Sequence, residues 1–187
     1  MPGLDQKVWL VDETNGKGKF AKWEIIKDDS APHYSPVIAI TRNKNSGQTY
    51  NLLMAKGTSF KNVELEVNLK RISGKEDQGG GIIWRAKDNN NYYVARWNPL
   101  EENLRLYVVL DGKRKQLASA DVKADPGAWH RIQILHEGNE LAVEFDSREL
   151  ISVKDDTLAQ AGMVGLWTKA DAATAFNDFY PQKGMGD

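Results

Sequence analysis

The chain has 187 residues, 25 lysines and arginines against 26 aspartates and glutamates, no cysteine, three histidines and six tryptophans. Without cysteine there are no disulfides, thiol nucleophiles, iron–sulfur clusters or thiolate zinc sites. A formal charge of -1 removes the bulk attraction on which non-specific nucleic-acid binding depends. A chain of this length can bury a core without a staple, so one domain spanning residues 1–187 is the expectation.

No stretch approaches the roughly 20 apolar residues that span a bilayer. The start, Met1-Pro2-Gly3-Leu4-Asp5-Gln6-Lys7, has no apolar signal-peptide region. Neither membrane insertion nor nucleic acid is expected as a partner.

Taken in chain order, periodicity and turn residues predict strands over 8–11, 23–27, 37–41, 50–54, 59–71, 80–86, 92–97, 104–111, 113–120, 129–136, 140–145, 148–152, 163–168 and 174–180. The alternation is clearest where Val63, Leu65, Val67 and Leu69 interleave with Glu64, Glu66 and Asn68, and where Leu141, Val143 and Phe145 interleave with Glu140, Ala142 and Glu144. Each is the pattern of a half-buried strand. Turn signals recur at intervals of about 8 to 12 residues, which marks an all-β sandwich or barrel. Asp111-Gly112 supplies the positive φ angles of a two-residue hairpin. One helical turn is expected over 156–161, ended by Gly162.

A series in the middle of the chain carries a resemblance. Phe60 to Val67 is followed by Gly79-Gly80-Gly81-Ile82-Ile83-Trp84-Arg85-Ala86 and Asp88-Asn89-Asn90-Asn91-Tyr92-Tyr93-Val94-Ala95-Arg96. Then come Leu104-Arg105-Leu106, Asp111-Gly112-Lys113, Trp129-His130-Arg131-Ile132, Gly162 to Trp167, and Ala175-Phe176-Asn177-Asp178-Phe179. In that order and spacing the chain resembles the concanavalin A-like lectin/glucanase superfamily, and within it laminin G-like domains and bacterial domains similar to the 3-keto-disaccharide hydrolases. The resemblance covers about residues 59 to 180. It implies a two-sheet antiparallel jelly-roll sandwich, a sugar at or near the concave face, a place outside the cytoplasm (extracellular or periplasmic), and in some relatives a calcium ion. Asp178 matches the position of a calcium-binding carboxylate in several of them; no organic cofactor is implied.

Strand parity yields the sharpest constellation. Arg85 alternates with Trp84; Tyr92, Arg96 and Asn98 oppose Tyr93, Ala95 and Trp97; Arg105 and Tyr107 oppose Leu104, Leu106 and Val108. If the three strands are sequential neighbours, Arg85, Arg96 and Arg105 converge on one face. Guanidinium forks suit vicinal hydroxyls, a carboxylate or a sulfated sugar, and Tyr92, Tyr107 and Asn98 add stacking and hydrogen bonding. The competing reading is a solvent-facing sheet whose arginines pair with Glu64, Glu66, Glu101 or Glu102. Three consecutive glycines, Gly79 to Gly81, mark either close approach of a backbone or ligand, or a bulge. Trp97 and Trp167 are candidates for stacking, with Trp97 on the core row.

Related retaining glucanases carry Glu-x-Asp-x-Glu. Here Glu64-Leu65-Glu66-Val67-Asn68 lacks the last carboxylate, and the remaining pair also reads as the polar face of a strand. The histidines show no zinc-ligand spacing. Three functions stay open: a carbohydrate-recognising domain, a glycoside hydrolase or lyase of the 3-keto-disaccharide hydrolase type, and a laminin G-like protein-interaction module.

Overall fold

The computed structural model describes residues 3–34 and 36–179, and it is built from strands. In chain order they are β1 (Trp9–Thr14), β2 (Lys22–Ile26), β3 (Val37–Arg42), β4 (Tyr50–Ala55), β5 (Val63–Ser73), β6 (Gly80–Asp88), β7 (Asn91–Asn98), β8 (Asn103–Leu110), β9 (Lys113–Asp121), β10 (His130–Glu137), β11 (Glu140–Phe145), β12 (Arg148–Lys154), β13 (Met163–Lys169) and β14 (Ala173–Asn177). Fourteen expected strands are thus matched by fourteen observed ones. The last ends at Asn177, and Tyr180 lies outside the described residues.

Two antiparallel sheets of seven strands form the jelly-roll sandwich, one ordered β1-β4-β13-β6-β7-β8-β9, the other β12-β11-β10-β5-β14-β3-β2. Alternation explains the core between them. Leu65, Val67 and Leu69 of β5, Ile132 and Ile134 of β10 and Val143 of β11 meet Ile82 and Trp84 of β6, Tyr93, Ala95 and Trp97 of β7, and Leu104, Leu106 and Val108 of β8.

The first sheet buries its other face as well. Tyr50, Leu52 and Met54 of β4, Ile83 of β6, Tyr92 and Val94 of β7, Tyr107 and Val109 of β8 and Trp167 of β13 form a second apolar cluster. A flat sheet would leave that face open. In strand order β4 and β9 are five places apart, roughly 24 Å in a flat sheet, yet the Arg114 guanidinium of β9 lies 5.6 Å from the Tyr50 ring of β4. The Thr14 hydroxyl of β1 likewise lies 2.8 Å from the Tyr92 hydroxyl, and Asn15 Nδ2 donates to the Gly112 carbonyl at 2.8 Å. The sheet is therefore curled around its own side chains, and the Thr14 and Asn15 contacts close one end of it.

Glycine permits the curl. A Cβ on Gly81 would stand 1.7 Å from the Ala95 carbonyl oxygen, and one on Gly165 would stand 2.4 Å from that of Leu53. Neighbouring backbone, not ligand, thus accounts for the glycine run at Gly81.

The helical turn expected over 156–161 is absent, because side chains take the backbone groups a helix would use. Thr157 N donates to Asp155 Oδ1 at 2.9 Å, Leu158 N to the Tyr93 hydroxyl at 3.2 Å, and the Leu158 carbonyl accepts from Arg85 Nη1 at 2.9 Å.

Candidate functional site

The open end of the curled face carries the polar side chains. It begins at the β7–β8 turn, where Asn98 Oδ1 accepts from Leu100 N at 2.9 Å and Glu101 N at 3.1 Å. Asn followed by Pro99 is a favoured opening for such a turn, and it directs Glu101 back over the sheet. β7 and β8 pair so that Arg96 faces Arg105, and the Glu101 carboxylate lies 3.1 Å from Arg96 and 3.7 Å from Arg105. Burial opposes ionisation of Glu101, but the two guanidinium groups prevail and hold its pKa below the usual carboxylate range.

Tyr107 is the hub. Its hydroxyl accepts from Arg96 Nη2 and Arg105 Nη1, both at 3.3 Å, and the Arg114 guanidinium stacks 4.3 Å from its ring centroid. Burial would raise the phenol pKa; Arg96, the Arg105 hydrogen bond and Arg114 together draw it below its ordinary value instead. Arg96 is buried and further donates to Asn103 Oδ1. Arg105 is about one-third exposed at its side chain.

A second ion pair faces this group through Asn98. Asn98 Nδ2 donates to Asp77 Oδ1 at 2.9 Å, and Asp77 Oδ2 holds Lys169 Nζ at 3.0 Å. Asp77 is fixed by its loop: the Asp171 carboxylate accepts the backbone N–H groups of Lys75, Glu76 and Asp77 at 2.8, 3.1 and 2.9 Å. Beyond Lys169, which pairs in register with Tyr50, the Tyr50 hydroxyl donates to Gln48 Oε1 at 2.7 Å.

Of the residues singled out in the sequence, Arg96, Asn98, Arg105 and Tyr107 come together. Arg85 does not, and this corrects the expected triad. The β6–β7 ladder breaks between Trp84 and Asp88, Arg85 adopts φ 45°, and its side chain turns away from the curled face. Its Nε, Nη1 and Nη2 donate to the carbonyls of Lys61 at 2.7 Å, Leu158 at 2.9 Å and Gly138 at 2.8 Å. Tyr92 shares the curled face but lies fully buried at its closed end, bonded to Thr14 and to Trp167 Nε1. Trp97 is core and Trp167 is buried beneath the face, so neither offers an open stacking surface.

Sequence reading passed over Arg114, Asp77 and Lys169. For Arg114 a signal existed: the Asp111-Gly112 hairpin pairs Val109 with Arg114, which sets Arg114 on the side of Tyr107. Asp77 and Lys169 meet only because β13 inserts between β4 and β6.

The carboxylate pair Glu64 and Glu66 lies on the outer face of the other sheet. Gln133 donates to Glu64 at 3.0 Å, and Arg131 lies 3.5 Å from Glu66. At Asp178, one oxygen lies 2.7 Å from His33 Nδ1, and among the described residues no three His, Asp or Glu side chains gather as metal ligands. Calcium takes six to eight oxygens, most of which backbone carbonyls would have to supply beside Asp178.

A family model described as a 3-keto-alpha-glucoside-1,2-lyase-like domain matches residues 10–179. The chain belongs to that family. No curated protein sequence matches it. Solved structures share the fold: the carbohydrate-binding module CBM66 from Bacillus subtilis, with TM-score 0.69 at 17% identity over 88% of this chain and 98% of that one, and a glycoside hydrolase family 16 protein of the Bacteroides ovatus mixed-linkage glucan locus, complexed with a product, with TM-score 0.66 at 12% identity over 93% and 94%. A Bacillus subtilis protein of unknown function with a galectin-like fold has TM-score 0.66 at 10% identity over 96% and 90%.

Proposed function

We propose that this member of the 3-keto-alpha-glucoside-1,2-lyase-like family recognises carbohydrate at the open end of its curled sheet, with the exposed Glu101 and Arg105 as the leading contacts and the more deeply set Tyr107 and Lys169 behind them. The observation that carries the reading is the pairing of acids and bases there, Glu101 with Arg96 and Arg105, and Asp77 with Lys169, joined through Asn98. A sugar hydroxyl both donates and accepts, so vicinal hydroxyls are matched by a carboxylate beside a cationic donor. Buried Arg96 fixes the half-exposed Glu101, and Asp77 and Lys169, both largely buried, fix each other, which lowers the ordering cost of binding. Fold likeness to a carbohydrate-binding module and to a glycan-complexed hydrolase supports the same reading.

A glycan panel followed by calorimetry tests it. Glu101→Gln and Arg105→Met are each expected to weaken binding by roughly tenfold or more, as for hydrogen bonds to charged groups. Unchanged affinity in both variants would refute the placement.

One observation favours an enzymatic second reading. Tyr107, with its phenol drawn below its ordinary pKa among three arginines, is suited to take the proton from a carbon beside a sugar ketone while the arginines hold the enolate oxygen. Protonated Tyr107 then returns that proton to the departing glycosidic oxygen, which completes a 1,2-elimination of the kind the family's description names. Incubation with a 3-keto-glucoside tests this reading: turnover abolished by Tyr107→Phe supports it, and turnover intact in that variant refutes it.

A further inference from the structure

We infer that the sugar recognised at the curled face carries a carboxylate, held between the guanidinium edges of Arg105 and Arg114 over Tyr107. This rests on the carbohydrate reading above and narrows it to acidic sugars.

Charge and unused donors carry the argument. Three guanidinium groups, those of Arg96, Arg105 and Arg114, surround one phenol. Glu101 is the carboxylate in contact with two of them, and Asp77 is neutralised by Lys169. The group around Tyr107 therefore holds three positive charges against one negative.

Arg96 is already satisfied, by Asn103, Glu101 and Tyr107. Arg105 spends Nε on Ser119 at 3.2 Å and Nη1 on Tyr107, and among the described residues its Nη2 meets no hydrogen-bond acceptor. Arg114 lies against two rings, 4.3 Å from the Tyr107 centroid and 5.6 Å from that of Tyr50, and among the described residues none of its N–H groups has a hydrogen-bond acceptor. A guanidinium stacked on a ring keeps its donors at its edge, in the plane where a carboxylate binds in bidentate fashion. Tyr50 and Tyr107 hold Arg114 in that orientation, so little side-chain freedom is lost when an anion arrives.

The surplus charge also explains what an anion would gain. Crowded guanidinium groups repel one another, and a carboxylate placed among them relieves that repulsion. A neutral sugar leaves it in place.

The test compares uronic-acid oligosaccharides, neutral oligosaccharides of matching linkage and sulfated ones, by calorimetry with the full chain. The carboxylated ligands are expected to bind at least about tenfold more tightly than the neutral ones, and Arg114→Met, which keeps the stacking bulk and removes the charge, to abolish that preference. Arg114→Lys, which keeps the charge without the fork, is expected to retain part of it. Arg114→Met and Arg105→Met are both checked for an unchanged melting temperature. Neutral and acidic sugars binding equally, with both sensitive to Glu101→Gln, would overturn the carboxylate while leaving the carbohydrate site standing. Sulfated ligands binding in place of carboxylated ones would overturn the choice of anion. Sugar binding indifferent to Glu101→Gln, Arg105→Met and Arg114→Met alike would overturn the site itself.

Discussion

Replacing Arg85 by methionine should cost stability and leave the curled face untouched. The side chain is buried, and its three hydrogen bonds run to carbonyls in three separate segments, at Lys61, Gly138 and Leu158. Methionine keeps much of the apolar stem and removes all three donors. A hydrogen bond to a charged group contributes about 1.5 to 3 kcal/mol, and the three carbonyls lose their shared partner together. Desolvation of the guanidinium, which lowers its pKa, offsets part of the gain, so a net loss of about 4 kcal/mol is expected. For a chain of this size each kcal/mol shifts the melting temperature by about 2 to 4 °C, which gives a drop of about 8 to 16 °C. Differential scanning calorimetry measures it, with glycan affinity measured well below the transition. A drop under about 3 °C, or a loss of sugar affinity in a protein still folded, would refute the assignment of Arg85 to the scaffold.

Three further outcomes follow from the same geometry. His136 is buried and accepts from Trp84 Nε1 at 3.0 Å; burial, then the charge of Arg85, lowers its pKa to about 4. The unfolded chain therefore binds the proton first as pH falls. About 3 kcal/mol of stability, complete above the unfolded value near pH 6.5, is lost between there and about pH 4; His136→Gln should flatten that slope in chemical denaturation at a series of pH values. Gly81→Ala drives a Cβ into the Ala95 carbonyl, so it should give far less folded protein, by circular dichroism and melting, than Gly47→Ala, whose Cβ meets nothing within 4 Å. The double variant Glu64→Gln/Glu66→Gln should bind sugar as the parent does, by calorimetry, because both side chains lie on the outer face of the other sheet.

The strands were readable because period-two burial is a local property: β5, Val63–Ser73, and β11, Glu140–Phe145, alternate almost without exception. The same counting set Arg96 opposite Arg105 and failed at Arg85. Parity assumes an unbroken strand, and the irregularity after Trp84, with Arg85 at positive φ, turns that side chain the other way. An arginine gives no warning of such a conformation as glycine or asparagine would. The curl was hidden for a different reason. It depends on β1 and β4 pairing far from their sequence neighbours and on glycines whose use lies in a backbone contact, so Tyr92 read as a sugar-contacting residue and proved to be a buried pin. Asp77 and Lys169, 92 residues apart, carry no mutual signal in the sequence.

The central claim is that ligand enters at the open end of the curled sheet. Backbone amide shifts followed during titration with the tightest ligand of the calorimetric panel test it most directly. The account predicts the largest changes at Asn98 to Arg105, Tyr107, Arg114 and Lys169, saturating with the calorimetric affinity. Changes centred instead on the outer face of the other sheet, at Glu64, Gln133, Glu144 and Glu149, would contradict it.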